Sequence, residues 1–441
     1  MTRESGIRRS FYSICHKFIP VAEGLTVGRL FVGSLAVAGL AAVAVSPAVA
    51  QDSETTTVGG RERPNYDALG VPLSSFLLYP SLTLGTEYND NIYSEEHNRT
   101  GDVIFTVTPQ VSLQSDWNNH ALGIEASATI FRYADKTEED VEDYSVAANG
   151  RYDVLRNTAI NSGLGFSQEH EDRGSPDDVD GREPTVYHVV GGQLGLSHRF
   201  NRVWTDVVQD TRYLNYNDTP AQGGGNINND DRDRMEFNTR LRVGYDFHPD
   251  ASAFLQTGFN AERYDQRRDD QGFKRDSYSY SVDVGTSFDL TGVIFGEVFA
   301  GVQQQFYEDS EFGNSRVRPS FGAGIDWNAT RLTTVTFDSS SSFEETTVSD
   351  ASSVWAWDNS VGVNHELLRN VILDSGFGYR REDYLNTSRV DNVIDFSFGA
   401  TYMMNRYIHL SADYTFQDRS SDADGQDYTE NIVGINVRFQ Y

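Results

Sequence analysis

Apolar and polar residues alternate over many segments of the chain, most clearly in its last nine residues. A period of two indicates a β-strand with one wholly apolar face. A strand of this kind that ends on an aromatic residue is typical of the closing strand of an outer-membrane barrel, where it would act as the C-terminal assembly signal. An amphipathic strand at the end of a soluble sandwich is the alternative. The apolar positions are Val433, Ile435, Val437, Phe439 and Tyr441.

The alternating segments come in pairs that repeat about every forty residues. A short turn joins the two members of a pair, and a long acidic loop leads to the next pair. Eight short turns and nine long loops can be counted. This predicts an all-β chain forming a single antiparallel transmembrane β-barrel of about 18 strands, with 16 as the alternative. Both ends of the barrel fall on the short-turn side, so we expect short periplasmic turns and long extracellular loops.

Within the predicted strands, one face is apolar and suits lipid, and the other is polar and suits water. Charged residues of both signs on the polar face could set the selectivity of a channel. The alternative is that they only solvate the wall and pair with one another. The candidates for lining the lumen are Glu236, Arg240, Arg242, Asp283, Asp289, Arg316, Arg318, Asp395, Asp413 and Arg438.

Tryptophans lie near the ends of the predicted strands. Trp117, Trp204 and Trp327 sit beside short turns, and Trp355 and Trp357 follow a long loop. Because indole rings prefer the headgroup region, we interpret these residues as parts of two aromatic girdles.

The N-terminus has the features of a secretory signal. Basic residues precede an apolar run over residues 30–45, and the small-residue site Ala48-Val49-Ala50 follows. The run is too short for a transmembrane helix, which needs about twenty residues. We therefore predict a signal peptide over 1–50, a periplasmic N-terminal segment over 51–75 and the barrel over 76–441. Cys15, the only cysteine, would leave with the signal, so the mature chain would lack disulfides and thiolate metal sites.

Composition narrows the classes of function. The formal net charge of −29 argues against a nucleic-acid partner. The 26 Phe, 23 Tyr and 5 Trp argue against disorder, because disordered chains lack bulky aromatic residues. No cofactor or metal site is predicted, since the acidic stretch 422–427 departs from the helix-loop-helix calcium pattern in its glycine spacing and lacks the matching glutamate.

Several stretches resemble the opening of the family described as putative outer-membrane beta-barrel porins of alphaproteobacteria. They are Pro64-Asn65-Tyr66-Asp67, Ser75-Phe76-Leu77-Leu78-Tyr79-Pro80-Ser81-Leu82 and Gly85-Thr86-Glu87-Tyr88-Asn89-Asp90-Asn91-Ile92-Tyr93. The resemblance is specific at the start of the barrel and generic later. It implies residence in the cell outer membrane and, because some members are associated with exopolysaccharide export, a conduit for that polymer. The family pattern supplies no catalytic or ligand residues.

Three functions follow as hypotheses. Exopolysaccharide export is the first, and a passive diffusion porin for small solutes is the alternative. A porin would need a long loop folded inward, for which residues 170–183 and the glycine-rich stretch 221–225 are candidates. A barrel-embedded hydrolase is the least favoured, because the scattered histidines share no motif, so no enzyme is predicted. The expected partners are outer-membrane lipid and lipopolysaccharide, the barrel assembly machinery and polysaccharide export components.

Overall fold

The computed structural model describes residues 57–313, 315–348 and 350–441. The predicted signal peptide lies outside the described residues. Eighteen long antiparallel strands form one sheet, which closes where the first strand pairs with the last, Ser81 opposite Gln440. The strands are β1 (Phe76–Asn89), β2 (Asp102–Ser115), β3 (Ala121–Tyr133), β4 (Val141–Leu155), β5 (Thr158–His170), β6 (Val186–Phe200), β7 (Val203–Tyr216), β8 (Arg234–His248), β9 (Ala251–Tyr264), β10 (Ser277–Leu290), β11 (Ile294–Tyr307), β12 (Ser315–Thr330), β13 (Thr333–Glu344), β14 (Ser353–Leu368), β15 (Val371–Leu385), β16 (Val390–Met403), β17 (Ile408–Ser421) and β18 (Tyr428–Gln440).

Within the described residues, little other regular structure accompanies the eighteen strands. A three-residue strand, Val71–Leu73, pairs with the start of β1, and a two-residue ladder joins Thr219–Pro220 to Asn226–Ile227. Three single 3₁₀ turns lie in long loops: Thr137–Glu139, Asp230–Arg232 and Ser310–Phe312. No helix in the described part of the chain is long and apolar enough to cross a bilayer.

The strand count, the closure and the alternation of short turns with long loops confirm the barrel prediction. Some of the tight turns contain residues with a positive φ, which favours glycine. Thr291 and Gly292, between β10 and β11, have φ values of 62° and 71°. Two central residues with positive φ make the turn that matches the twist of a hairpin.

The two faces of the sheet differ as the period of two predicts. On β8, Met235 and Val243 are exposed, whereas Glu236 and Arg242, on the opposite face, are buried. On β18, Ile435 is 63% exposed. In a soluble sandwich the apolar face would be buried, but here it covers the outside of a closed barrel, where lipid would contact it.

The girdle prediction is wrong for Trp204. Its ring lies over Gly244 of the neighbouring strand on the inward face, and the side chain is buried. Trp117 and Trp327 are exposed beside short turns, as predicted. At the long-loop end, the rings of Trp355 and Trp357 pack edge-on against Phe321.

The contact between Trp204 and Gly244 predicts that a larger residue at position 244 destabilises the barrel. A Cβ on Gly244 would lie 2.1 Å from the indole ring, so Gly244→Ala must displace the ring or the strand. Overpacking of this kind costs about 1–3 kcal/mol, measurable as a lower urea midpoint for unfolding in detergent. The matched control is Gly192→Ala, whose Cβ would meet Leu164 at an ordinary 3.4 Å. Equal midpoints for the two variants would contradict the prediction.

Candidate channel and its two mouths

The ten residues predicted to line the lumen all occupy inward positions in the strand register, opposite the exposed apolar face. Glu236 and Arg242 pair with other charges. Glu236 accepts from Arg212 at 2.6 Å and from Arg234 at 3.0 Å, and Arg242 pairs with Glu297 at 2.9 Å. Pairing along the wall therefore accounts for these charges. It does not account for the acidic residues on the other side of the barrel.

Three aspartates on β15, β16 and β17 form what we call the acidic strip: Asp374, Asp395 and Asp413. None of them forms an ion pair in the described part of the chain. Both carboxylate oxygens of Asp395 are buried without a hydrogen-bond partner, and Asp413 accepts only from the amide of Asn436, at 3.1 Å. Asp395 and Asp413 were predicted to line the lumen. Asp374 was not, although the alternation along β15 puts it on the same face.

Each carboxylate of the acidic strip lies over a glycine of an adjacent strand. The pairs are Asp374 with Gly399, Asp395 with Gly378 and Asp413 with Gly434. A Cβ at these glycines would come within 2.2, 2.0 and 2.5 Å of the respective carboxylate oxygens. The absence of side chains at these three positions lets the aspartates lie along the wall.

The acidic strip faces the paired arginines across the lumen. β8 and β17 are nine strands apart (17 − 8 = 9) in a barrel of eighteen, so they stand opposite each other. Arg212, Arg234 and Arg242 are balanced by three carboxylates, those of Asp210, Glu236 and Glu297. The acidic strip has no paired cation among the described residues. The lumen therefore has a net negative side, which attracts cations.

The loop between β5 and β6, residues 171–185, folds into the long-loop mouth, and we call it the inward loop. Thr346 Oγ1 and Thr347 N donate to Asp177 Oδ1 at 2.7 and 2.8 Å. These threonines follow β13, eight strands away from β5. Arg419 of β17 also donates to the carbonyl of Gly174, at 2.7 Å. The inward loop is thus held by distant parts of the wall.

The base of the inward loop is fixed by two double contacts. Arg173 donates to both carboxylate oxygens of Glu139 at 2.9 and 2.8 Å, and Arg232 donates to both oxygens of Glu171 at 3.0 and 2.6 Å. By contrast, the glycine-rich stretch 221–225 is largely exposed, and a Cβ on Gly223, Gly224 or Gly225 would meet no atom within 4 Å. Among the described residues, the hydrogen bonds of this stretch are internal, from Ala221 N to Gly225 O and from Gly224 N to Ala221 O, so no contact with the wall supports a constriction here.

A cavity of about 450 Å³ lies beneath the inward loop, and we call it the vestibule cavity. The inward-facing side chains of Tyr187, Leu214 and Tyr216 form its apolar wall. Carboxylates from several long loops are among the other residues that line it. The least favoured hypothesis, a hydrolase, would need a nucleophile next to a base, and His170, the only histidine of this lining, contacts Asp143 at 3.0 Å.

The N-terminal segment occupies the short-turn mouth. Val58 contacts the inward side chains of Ile372 and Met403, and its N–H donates to Thr334 Oγ1 at 2.9 Å. Arg61 and Arg63 both contact Glu366, at 3.3 and 3.4 Å. The carbonyl of Tyr66 accepts from Gln440 Nε2 and contacts His409 Nε2, both at 3.2 Å. These contacts put the described part of the segment inside the barrel end.

A family model described as Putative beta-barrel porin 2 matches residues 63–441. The chain belongs to this family. It is therefore a porin-like β-barrel of the outer membrane. No curated protein matches the sequence.

Solved structures of other barrels resemble this porin-family barrel at low identity. A mutant of the ferric enterobactin receptor PfeA from Pseudomonas aeruginosa has a TM-score of 0.46 and 6% identity, over 82% of this chain and 80% of the receptor. Pseudomonas aeruginosa OpdK with vanillate has a TM-score of 0.45 and 9% identity, over 82% of this chain and 99% of OpdK. OccK9 (OpdG) from the same organism has a TM-score of 0.44 and 12% identity, over 83% of this chain and 98% of OccK9.

The apolar residues of β18 that were interpreted as an assembly signal lie on the outward face of the porin-family barrel, beside the closing seam with β1. Their recognition by assembly machinery stays a prediction.

The contacts of Glu366 predict how the N-terminal segment is held in the barrel. Glu366→Gln leaves Arg61 and Arg63 without a carboxylate in a largely buried place, which disfavours the docked segment. We expect trypsin to cleave after Arg61 about tenfold faster in outer-membrane preparations opened on the periplasmic side, whereas Pro64 protects the bond after Arg63. Glu308→Gln, which removes an exposed pair with Lys274 at the other end, is the control. Unchanged cleavage in Glu366→Gln would show that other contacts hold the segment.

Asp178 makes the inward loop sensitive to pH. Burial, opposed by Arg173 and reinforced by Glu171 and Asp180, raises the pKa of Asp178 from 3.8 to about 7. A raised carboxyl pKa means that the docked loop is favoured when Asp178 is protonated, and that this stabilisation is lost as pH rises through about 7.

We therefore expect single-channel conductance to increase by roughly twofold or more between pH 5.5 and pH 8 as the inward loop loosens. Asp178→Asn should keep the low conductance at both pH values. The double variant Asp422→Asn/Asp424→Asn, in the loop between β17 and β18, should behave like the wild type. A conductance that falls with rising pH would contradict the assignment. Glu171, whose pKa is raised by burial, would account for any dependence that remains in Asp178→Asn.

Proposed function

We propose that this porin-family barrel is a passive diffusion channel for small solutes, with a preference for cations. The observation that carries the proposal is the inward loop, whose Asp177 and Gly174 are bonded to distant parts of the wall. A segment fixed in this way narrows the mouth and limits the size of a solute that can pass. The acidic strip supplies the charge preference.

Exopolysaccharide export, which the family resemblance implies, is the competing function. An exported chain would need a continuous bore through both mouths. The inward loop and the N-terminal segment would then both have to leave their present contacts, including the two double contacts of Arg173 and Arg232. These contacts favour small solutes over a polymer.

Shortening the inward loop tests the proposal directly. With residues 172–184 replaced by a short Gly-Ser turn, we expect liposomes to swell in larger oligosaccharides than the wild type admits, and conductance to rise by roughly twofold or more. Deletion of Gly223, Gly224 and Gly225, which shortens an exposed loop tip, is the control and should leave both unchanged. Reversal potentials in a KCl gradient should show cation preference. An unaltered size limit in the loop variant would remove the main support for the proposal.

Deletion of the gene in its host separates the two functions. A diffusion channel predicts that surface polysaccharide and the periplasmic polymer pool both stay as in the parent strain. A fall at the surface with a rise in the periplasm would establish export instead.

A further inference from the structure

The vestibule cavity has far more acidic than basic groups in its lining. Eight carboxylates and three guanidinium groups line it. The three arginines are already engaged: Arg232 with Glu171 at 2.6 Å, Arg275 with Asp269 at 2.8 Å, and Arg234 with Glu236 at 3.0 Å. The excess of negative charge is therefore not balanced by cations of the lining itself.

Part of that excess is buried. The side chain of Asp178 is 6% exposed, its Oδ2 is 3.5 Å from Arg173, and its Oδ1 has no hydrogen-bond partner. A buried carboxylate oxygen without a donor is costly, and a charged donor in the cavity would remove that cost. This atom points to a positively charged ligand.

Other unpaired carboxylates come from different loops around the cavity. Asp231 lies between β7 and β8, and Asp270 between β9 and β10. The main-chain N–H of Asp270 donates to Asp231 at 3.1 Å, which holds the two loops together. Burial, and after it the charges of Asp270 and Asp269, raise the pKa of Asp231, although the bond from Asp270 opposes the shift. Asp178 belongs to a third loop, so negative charge surrounds the space.

The remaining wall is apolar and aromatic. Tyr187 and Tyr216 stack with their ring centroids 5.0 Å apart, and the guanidinium of Arg232 stands 4.1 Å from the centroid of Tyr216. Leu214 packs with them. Such a wall suits methylene groups, and aromatic faces attract cations. Within the described residues, no group of three His, Cys, Asp or Glu side chains is arranged to hold a metal ion.

We propose that the vestibule cavity binds an aliphatic organic cation that carries two or more ammonium groups. Asp178, Asp231 and Asp270 would bind the ammonium groups, and the Tyr187, Leu214 and Tyr216 wall would contact the methylene chain. The volume of about 450 Å³ is within the range of small-molecule sites. The inference rests on the proposed function in one respect only, that the cavity lies on the path of solutes.

Calorimetric titration of the full barrel in detergent with spermidine at pH 7.5 tests the inference. We expect saturable binding at one site, weakened about tenfold by Asp178→Asn and again by Asp231→Asn. Glu139 still holds Arg173 in the first variant, so the inward loop stays docked. The double variant Asp422→Asn/Asp424→Asn removes two charges outside the cavity lining, as many as Asp178→Asn and Asp231→Asn remove together. It should bind spermidine as the wild type does.

Three outcomes would overturn the inference: no saturable binding to the wild type, equal weakening in the control variant, or equally strong binding of Mg²⁺ alone. Binding of succinate in place of spermidine would assign the site to the arginines instead. Uptake of neutral sugars by liposomes is measured separately. Normal sugar uptake without spermidine binding would contradict this inference alone. Spermidine binding without sugar uptake would contradict only the proposed function.

Discussion

The structure depends on one constraint, that backbone N–H and C=O groups have no water to bond inside a bilayer. Eighteen strands meet it by pairing in sequence, and the pairing of β1 with β18 leaves no free edge. Once the sheet is closed, every strand must present one face to lipid and the other to the lumen. The alternation of side chains, the outward aromatic residues and the inward charges all follow from that closure.

Inside the barrel, electrostatics is divided between paired and unpaired groups. The three arginines paired with Asp210, Glu236 and Glu297 stiffen one side of the wall without leaving net charge, whereas the acidic strip leaves charge without partners. The long loops repeat this division. Arg173 and Arg232 each donate to both carboxylate oxygens of a glutamate, while Asp178 has one oxygen without a hydrogen bond. Paired charges give the scaffold its shape, and unpaired charges give it a preference among solutes.

The strand count and the two faces could be predicted because a period of two is local and recurs in each strand. The mouths could not, because their contacts join residues far apart in the chain: Asp177 meets Thr346, and Val58 meets Thr334. Trp204 was assigned to the wrong face because its place beside a short turn was given more weight than the alternation along β7, which puts it on the same face as Asp206 and Arg212. The loop 170–183 and the glycine-rich stretch 221–225 were equal candidates from composition, and only the anchoring contacts separate them.

The place of Tyr66 has a consequence for the order in which the molecule is built. Its carbonyl is held by His409 and Gln440, which belong to the last two strands. The segment before β1 leaves the ribosome long before these strands exist, so it cannot take its final position until the C-terminal hairpin has arrived. In a barrel still open at its seam, the carbonyl of Tyr66 therefore lacks these partners, and the last contacts of the N-terminal segment form only when the C-terminal hairpin is in place.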